Sequence, residues 1–523
     1  MKKLTKQSLF ELLSNRFQTE KKLSQIPSPA LLHDGQKAAK KIAWAIKNRK
    51  KITLIGDYDV DGVSSSAIMV EFFRLIPYKL DVIIPNRFRD GYGLSPKILE
   101  RVDADLIITV DNGITAIEAA QICKDRGIEL IITDHHTPSA QLPDAYAIVN
   151  PKLPECNYPF KEICGAEVAW LLLGLVKKEL QLNINMKEFL DILAIAIIAD
   201  IMPLIDINRT IVKEGLKQLQ ISKRPSSIIM RDFINKSTLN SEDIAFNIAP
   251  RLNSAGRLSD ATLALEFFNA KTTYEAYDRF EELCKLNDER KEIEAQTTQA
   301  AIEQVNEDDL VIVVAGEGWH EGVVGIVASR LVDKFSKPAI VLSINGNTAK
   351  GSARSLGEVD IFSLIDQNRE FLEKFGGHKM AAGLSLEVKN ITPFKEALNK
   401  SAQEIPSAAF VPKHSITGML STTELDFELL EILEKFEPYG EANPRPTFYF
   451  QEVEVVSIKL LGKDKSHSKI EIRENLYGQH LELIAFRNVF EMPQNKKLSC
   501  SYKVAKNEFQ GRVSLQLLVD KIY

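Results

Sequence analysis

KITLIGDYDVDG, residues 51–62, decides how the first half of this chain is read. The run Lys51–Gly56 is too short for a helix and its centre is apolar and β-branched, so it reads as a buried strand. It ends abruptly in three alternating carboxylates, Asp57, Asp59 and Asp61, followed by Gly62. The spacing matches the start of a calcium-binding EF-hand loop, but counting from Asp57 puts Ile68 where the bidentate Glu belongs, and a strand stands where the entering helix should be. That reading is excluded.

Two further strands end in the same way. LIITV (Leu106–Val110) runs into Asp111-Asn112-Gly113, and ELIIT (Glu129–Thr133) runs into Asp134-His135-His136. With candidate strands at Lys79–Pro85 and Ala145–Asn150, and helical stretches at Ser64–Leu75, Ser95–Arg101 and Ile117–Arg126, the pattern predicts an α/β domain with a doubly wound parallel sheet. Ligands of such sheets bind beyond the carboxyl ends of the strands, so the three clusters converge on one crevice. A single Asp at a strand end is ordinarily a cap or turn residue, and a lone His is ordinarily structural. Three clusters at three strand ends outweigh both readings. So many carboxylates together repel one another unless cations neutralise them, and Asp oxygens with one or two imidazoles suit Mn²⁺ or Mg²⁺. Asp200, after the apolar run LDILAIAIIA, is a candidate to complete the set.

The rest of the chain changes texture three times. A mostly helical region follows, whose last part, Tyr274 to Gln304, lacks Gly and Pro and predicts one long connecting helix. A second α/β unit runs from Leu310 to about Leu398. From about His414 to Tyr523 short β patterns dominate (PTFYFQEVEVVSIKLLG, KIEIRE, HLELIAF, KLSCSYKV, VSLQLLVDKIY), predicting a small barrel of the OB type. The expected division is therefore 1–270, 271–305, 306–405 and 406–523. In the barrel, Phe448-Tyr449-Phe450 offers rings to stack on bases, although strand alternation sends at least one of them inward.

Composition bounds the partners. Of 523 residues, 45% are hydrophobic and 26% charged, which excludes a disordered or fibrous chain. No apolar run approaches the ~18 residues of a membrane span, and the N-terminus lacks a signal-peptide core, so no membrane partner is expected. Five cysteines without a CxxC pair fit a reducing compartment, and a cytoplasmic location is expected. The net charge of −5 excludes a polycation; the cluster Lys37, Lys40, Lys41, Lys47, Arg49, Lys50 and Lys51 reads as a solvated helix face.

The ordered series GDYDVDG, DNG, TDHH and a distal Asp resembles the DHH phosphoesterase superfamily. GWHEGVVGIVASRL (318–331), GSARS (351–355) and GGHKMAAG (376–383) resemble its DHHA1 domain. APRLNSAGR (249–257) and PYGEANPRPTF (438–448) resemble segments of the RecJ family of bacterial single-stranded-DNA exonucleases. Carried over by motif, the resemblance implies two divalent cations, Mn²⁺ or Mg²⁺. Asp59 and Asp111 would hold one, with Asp57 nearby; Asp61, Asp111, His135 and Asp200 would hold the other. Asp111 would be the bridge, and His136 the partner of the scissile phosphate or leaving group. Arg87, Arg257, Ser352, Arg354, Gly377 and His378 would bind substrate, since small residues admit backbone close to phosphate and Arg engages it bidentately.

The resemblance further implies a metal-dependent 5′→3′ exonuclease that hydrolyses single-stranded DNA to 5′-mononucleotides in recombination and repair. Single-stranded DNA is the expected partner, with a single-strand-binding protein and a helicase as implied protein partners and a monomer as the expected state. The alternatives are a DHH-type phosphodiesterase for short oligonucleotides or cyclic dinucleotides, against which the β-rich tail weighs, and a non-catalytic DNA-binding scaffold, against which the intact acidic and histidine set weighs.

Overall fold

The computed structural model describes the chain except residues 17–20, 412–414, 463–464, 474–479, 487 and 510–511, and the side chains of 508, 509 and 512. His414, where the β-rich texture begins, therefore lies outside the described residues, as does the last residue of KIEIRE.

The first sheet has five parallel strands: β1 (Ile52–Ile55), β2 (Asp81–Ile83), β3 (Leu106–Val110), β4 (Glu129–Thr133) and β5 (Ala147–Val149), in the order β2-β1-β3-β4-β5. β1 and β3 are buried throughout, which is why they read as unbroken apolar runs rather than alternating ones. The strand order reverses between β1 and β3, and the acidic loops leave from the ends of those two strands. The helix after β1 starts at Val60, earlier than the expected Ser64, because the Asp59 side chain accepts the Gly62 N–H (3.1 Å) and caps it. Asp61 therefore lies in the first helical turn.

A 30-residue helix, Thr273–Ile302, follows the helical region; at ~1.5 Å per residue it is about 45 Å long. Thr272 caps its start by accepting the Glu275 N–H. The second sheet contains β6 (Ile312–Glu317), β7 (Ala339–Asn345), β8 (Thr348–Arg354), β9 (Lys374–His378) and β10 (Ala381–Glu387) in the order β9-β10-β8-β7-β6. Only β6 and β7 are parallel; the other pairs are antiparallel.

The C-terminal strands β11 (Thr447–Leu461), β12 (His467–Arg473), β13 (His480–Ala485), β14 (Lys497–Phe509) and β15 (Arg512–Ile522) close into a barrel, β11-β12-β13-β15-β14. Two of the three rings of Phe448-Tyr449-Phe450 are core, not surface. Phe448 and Phe450 are buried, and Phe450 stacks on Tyr502 with ring centroids 4.1 Å apart. Only Tyr449 turns outward, edge-on to Tyr523.

The N-terminus departs from the expected grouping of residues 1–270. Lys3–Leu4 pairs with Met419–Leu420, and Leu9 and Leu13 are buried in the barrel-side core. The helix Lys6–Arg16 buries Leu9 and Leu13, one turn apart on one face, in that core. Of the lysine cluster, Lys41 pairs with Glu129, Lys50 with Asp105 and Lys51 with Asp103, as a solvated face with local partners would.

Candidate metal centre and phosphate grip

The acidic crevice lies where the first sheet's strand order reverses. One ligand atom from each of Asp57, Asp59 and Asp111 falls within 4.8 Å of the others, and the same holds for Asp61, His135 and Asp200, and for Asp111, His135 and His136. His135 is the hub: its Nε2 lies 3.1 Å from Asp111, 3.6 Å from Asp61 and 3.6 Å from Asp200. The structure thus brings together every metal ligand expected from the sequence, and His136 with them.

Backbone and neighbouring side chains hold several of them in place. Asp111 adopts φ 63°, a left-handed conformation that turns the chain sharply at the end of β3. Asn112 fixes that turn by donating from its side-chain amide to the carbonyls of Ile55, Gly56 and Val110, tying the ends of β1 and β3 together. Asp61 is gripped from a direction with no sequence signal. Gly165 and Ala166, the first residues of the helix Gly165–Glu179, donate their N–H groups to its two oxygens at 2.6 and 2.9 Å. These are unpaired helix donors at the positive end of the helix dipole. Asp134 serves as an orienting residue: its Oδ1 lies 2.8 Å from His136 Nδ1, and it accepts the backbone N–H groups of His135, His136 and Ile114.

The electrostatics demand cations. Burial first, then their neighbours, raise the carboxyls of Asp57, Asp111 and Asp200 well above the usual carboxylate range. Burial also lowers the pKa of His135, making the neutral, ligating form of the ring the stable one. Partial removal from water opposes charge on His136, but the Asp134 hydrogen bond and the surrounding carboxylates win and push its pKa up to about 9. Asp57 Oδ1, Asp111 Oδ1, His135 Nδ1 and Asp200 Oδ2 are buried without a hydrogen-bond partner. Carboxylate oxygens and imidazole, clustered, buried and unsatisfied, fit hard divalent cations such as Mn²⁺ and Mg²⁺.

Near the acids stand the arginines: Arg87 acts on Asp57, and Asp59 on Arg257. Arg87 lies 4.4 Å over the Tyr58 ring, within a loop braced by buried Asp90, which accepts from Arg89, Arg101 and the Asn86 N–H. Arg257 is withdrawn from water; burial, then the charges of Arg87 and Arg290, lower its pKa to about 10, and Arg354 adds to the effect. These cations therefore share one region, and an anion there would relieve their mutual repulsion. Arg257 also donates to the Gly322 carbonyl (3.2 Å), linking the first unit to the second. APRLNSAGR thus has a local purpose. Asn253 accepts the Val60 N–H, and Gly256 packs so closely that a Cβ there would sit 2.1 Å from the Tyr58 carbonyl.

Ser352 and Arg354 lie on one face of β8, while Ala353 between them turns into the core. Gly377 and His378 lie on the edge strand β9, with His378 exposed and registered, through Ala381, to Arg354. Two strand spacings of ~4.8 Å separate His378 from Arg354, so this pair flanks the cation cluster rather than joining it. The sequence reading missed Tyr92. Its hydroxyl donates to the Asp111 carbonyl (3.2 Å) and its ring meets those of Tyr58 and His136 edge-on. The GYG of the Arg87 loop was its only trace.

Comparison with known proteins agrees with this layout. Three families match successive segments: the DHH family, N-terminal domain, at 51–197; the DHHA1 domain at 307–404; and the RecJ OB domain at 416–521. The chain is 36% identical over 502 residues to the single-stranded-DNA-specific exonuclease RecJ of Bacillus subtilis, covering 92% of this chain but only 62% of that relative. Against the proteins of the same description from Haemophilus influenzae and Escherichia coli the identities are 32% and 33%, covering 98% and 93% of this chain and 94% and 90% of theirs. The crystal structure of RecJ in complex with Mn²⁺ from Thermus thermophilus superposes with a TM-score of 0.81 at 28% identity, over 95% of this chain and 73% of that one. Its Mg²⁺ complex gives 0.76 at 26% identity, over 95% and 71%.

Proposed function

The chain belongs to the RecJ family of DHH phosphoesterases, and from that premise we propose that it is a metal-dependent exonuclease that degrades single-stranded DNA from the 5′ end. The observation that carries the reading is the buried Asp–His cluster with arginines close enough to act on it, Arg87 on Asp57 and Asp59 on Arg257, which suits a phosphodiester held between cations and guanidinium groups.

Asp57, Asp59 and Asp111 hold one divalent cation in this reading; Asp61, Asp111, His135 and Asp200 hold the other. Bound there, such ions lower the pKa of a water and offset charge building on the phosphate oxygens. The chain's own groups do the rest. Arg87, Arg257 and Arg354 orient the phosphodiester, with Ser352, Gly377 and His378 along the strand's approach. His136, its Nδ1 engaged by Asp134, turns Nε2 to the 3′-oxygen. As the water oxygen bonds to phosphorus and the P–O3′ bond breaks, His136 supplies a hydrogen bond or proton to the departing oxygen. The product is a 5′-mononucleotide, and the shortened strand keeps a 5′-phosphate. The same reading assigns the chain to recombination and repair in the cytoplasm, alongside a single-strand-binding protein and a helicase, acting as a monomer. Among the described residues no helix is long and apolar enough to cross a membrane.

The test is a time course on a single-stranded oligonucleotide labelled separately at each end, with Mn²⁺, Mg²⁺ or chelator, beside a duplex of the same sequence. Metal-dependent release of the 5′ label as mononucleotide, with duplex spared, is expected. Turnover of dinucleotides without attack on long strands would move the function to small phosphodiesters. A second expectation concerns Arg257→Lys. It keeps the charge but loses the two-pronged contact, and KM for single-stranded DNA should rise about tenfold with kcat changed much less.

A further inference from the structure

The helix Leu190–Ala199 ends one residue before Asp200 becomes its cap, and the next residue closes the turn in an unusual way. Ile201 donates its N–H to the Ile198 carbonyl and Met202 to that of Ile197, a complete Schellman ending. The position Ile201 fills, at φ 55°, belongs to glycine, and a β-branched side chain there is strained. Nor does packing within the chain reward it, for Ile201 is 69% exposed.

A second irregularity lies nearby. Ile244–Ile248 forms a π-helical turn, with the Ala249 N–H bonded to the Ile244 carbonyl. Pro250 accounts for it: the ring has no N–H for the Phe246 carbonyl four residues back and would clash with it in a regular helix. The widened turn presents Phe246, 74% exposed. Strained backbone and π-turns concentrate at functional sites, and here each displays an apolar side chain.

Both side chains line the same cavity of about 450 Å³, between the catalytic unit and the barrel, one residue along the chain from Asp200. Its charged lining is mixed: Lys503 pairs with Asp520 and Arg445 with Glu242, and Glu441 adds a further carboxylate, so backbone phosphate has no cationic surface there. What the cavity offers is two exposed apolar side chains, one of them next in the chain to Asp200. We propose that Ile201 and Phe246 form a platform on which unpaired bases of the single strand stack as it runs between the metal centre and the barrel. The inference rests on the exonuclease reading and adds to it which surface holds the bases. Duplex bases, already stacked on one another, gain nothing from such a platform.

Two variants and one modified substrate test this. Because Phe246 is exposed and glycine relieves the backbone at Ile201, Phe246→Ala and Ile201→Gly should fold with a Tm equal to or above that of the parent. Each should nonetheless raise KM for single-stranded DNA, by about tenfold for Phe246→Ala, the loss of one base–aromatic stack. Oligonucleotides carrying one abasic residue at successive positions from the 5′ end should show a raised KM at one or two positions in the parent. That increment should disappear in Phe246→Ala. Unchanged KM in both variants, or an abasic effect that simply adds to theirs, overturns the platform while leaving the exonuclease reading intact. A parent enzyme that does not degrade single-stranded DNA with either metal overturns both.

Discussion

Asp111→Asn is expected to lower kcat/KM on single-stranded DNA by about a thousandfold or more, the consequence of losing ~4 kcal/mol of transition-state stabilisation. Asp111 belongs to two of the three ligand clusters and lies 3.1 Å from the His135 hub, so its loss disturbs both cation positions together. Asn is the informative replacement because it tolerates the left-handed backbone at φ 63°, whereas Ala would add strain of its own. The same substitution removes a carboxyl that burial first, then the neighbouring Asp61, Asp59, Asp57 and Asp200, make costly to ionise, so in chelator Asp111→Asn should melt at or above the parent's Tm. Addition of Mn²⁺ should raise the Tm of the parent far more than that of the variant. Calorimetry with and without metal, run beside the nuclease assay, checks all of this. A variant that keeps the parent's metal-induced shift and activity would remove Asp111 from the centre.

Gly165→Ala is expected to be the next most damaging, although Gly165 contributes no side chain. A Cβ there would sit 2.5 Å from the Asp111 Cβ and 2.7 Å from its Oδ1, closer than such atoms approach. The helix start must then withdraw. It carries the N–H groups of Gly165 and Ala166 that grip Asp61, so one methyl displaces candidate ligands of both cations. A displacement of ~1 Å at a catalytic constellation costs about a hundredfold, and that loss of kcat is expected here. Metal titration should show weakened binding, while far-ultraviolet circular dichroism should remain that of the parent. Parent-like kinetics would mean that the helix end yields without moving Asp61.

The strand-end acids were legible because their cause is local. A buried parallel strand must be a short apolar run, so the residue that follows it is conspicuous, and three such runs ending in Asp or Asp-His-His announce their convergence. The long helix was legible for the same reason, since Thr273–Ile302 carries no breaker along its length. Arg257 and Arg354 stood out only through the motifs around them. That they stand close enough for one to lower the other's pKa depends on how two separate α/β units pack.

Other features had no local cause to read. The grip on Asp61 comes from a helix about a hundred residues later in the chain, and a glycine at a helix start is unremarkable until Asp111 is found against it. The N-terminal helix packs beside the barrel, against the segment 426–436 that leads into it, and shares the apolar core there. The aromatic run Phe448–Phe450 divides between core and surface according to how β11 pairs with β14, and register is a property of the closed barrel. By itself the sequence determined the sheet, the order of the units, the acids and the chemistry they favour, because those follow from strand burial and from side chains adjacent in the chain. Only the tertiary structure decided which backbone groups hold the acids, where the cations gather and which apolar side chains stay exposed beside them, because those depend on contacts between segments remote in sequence.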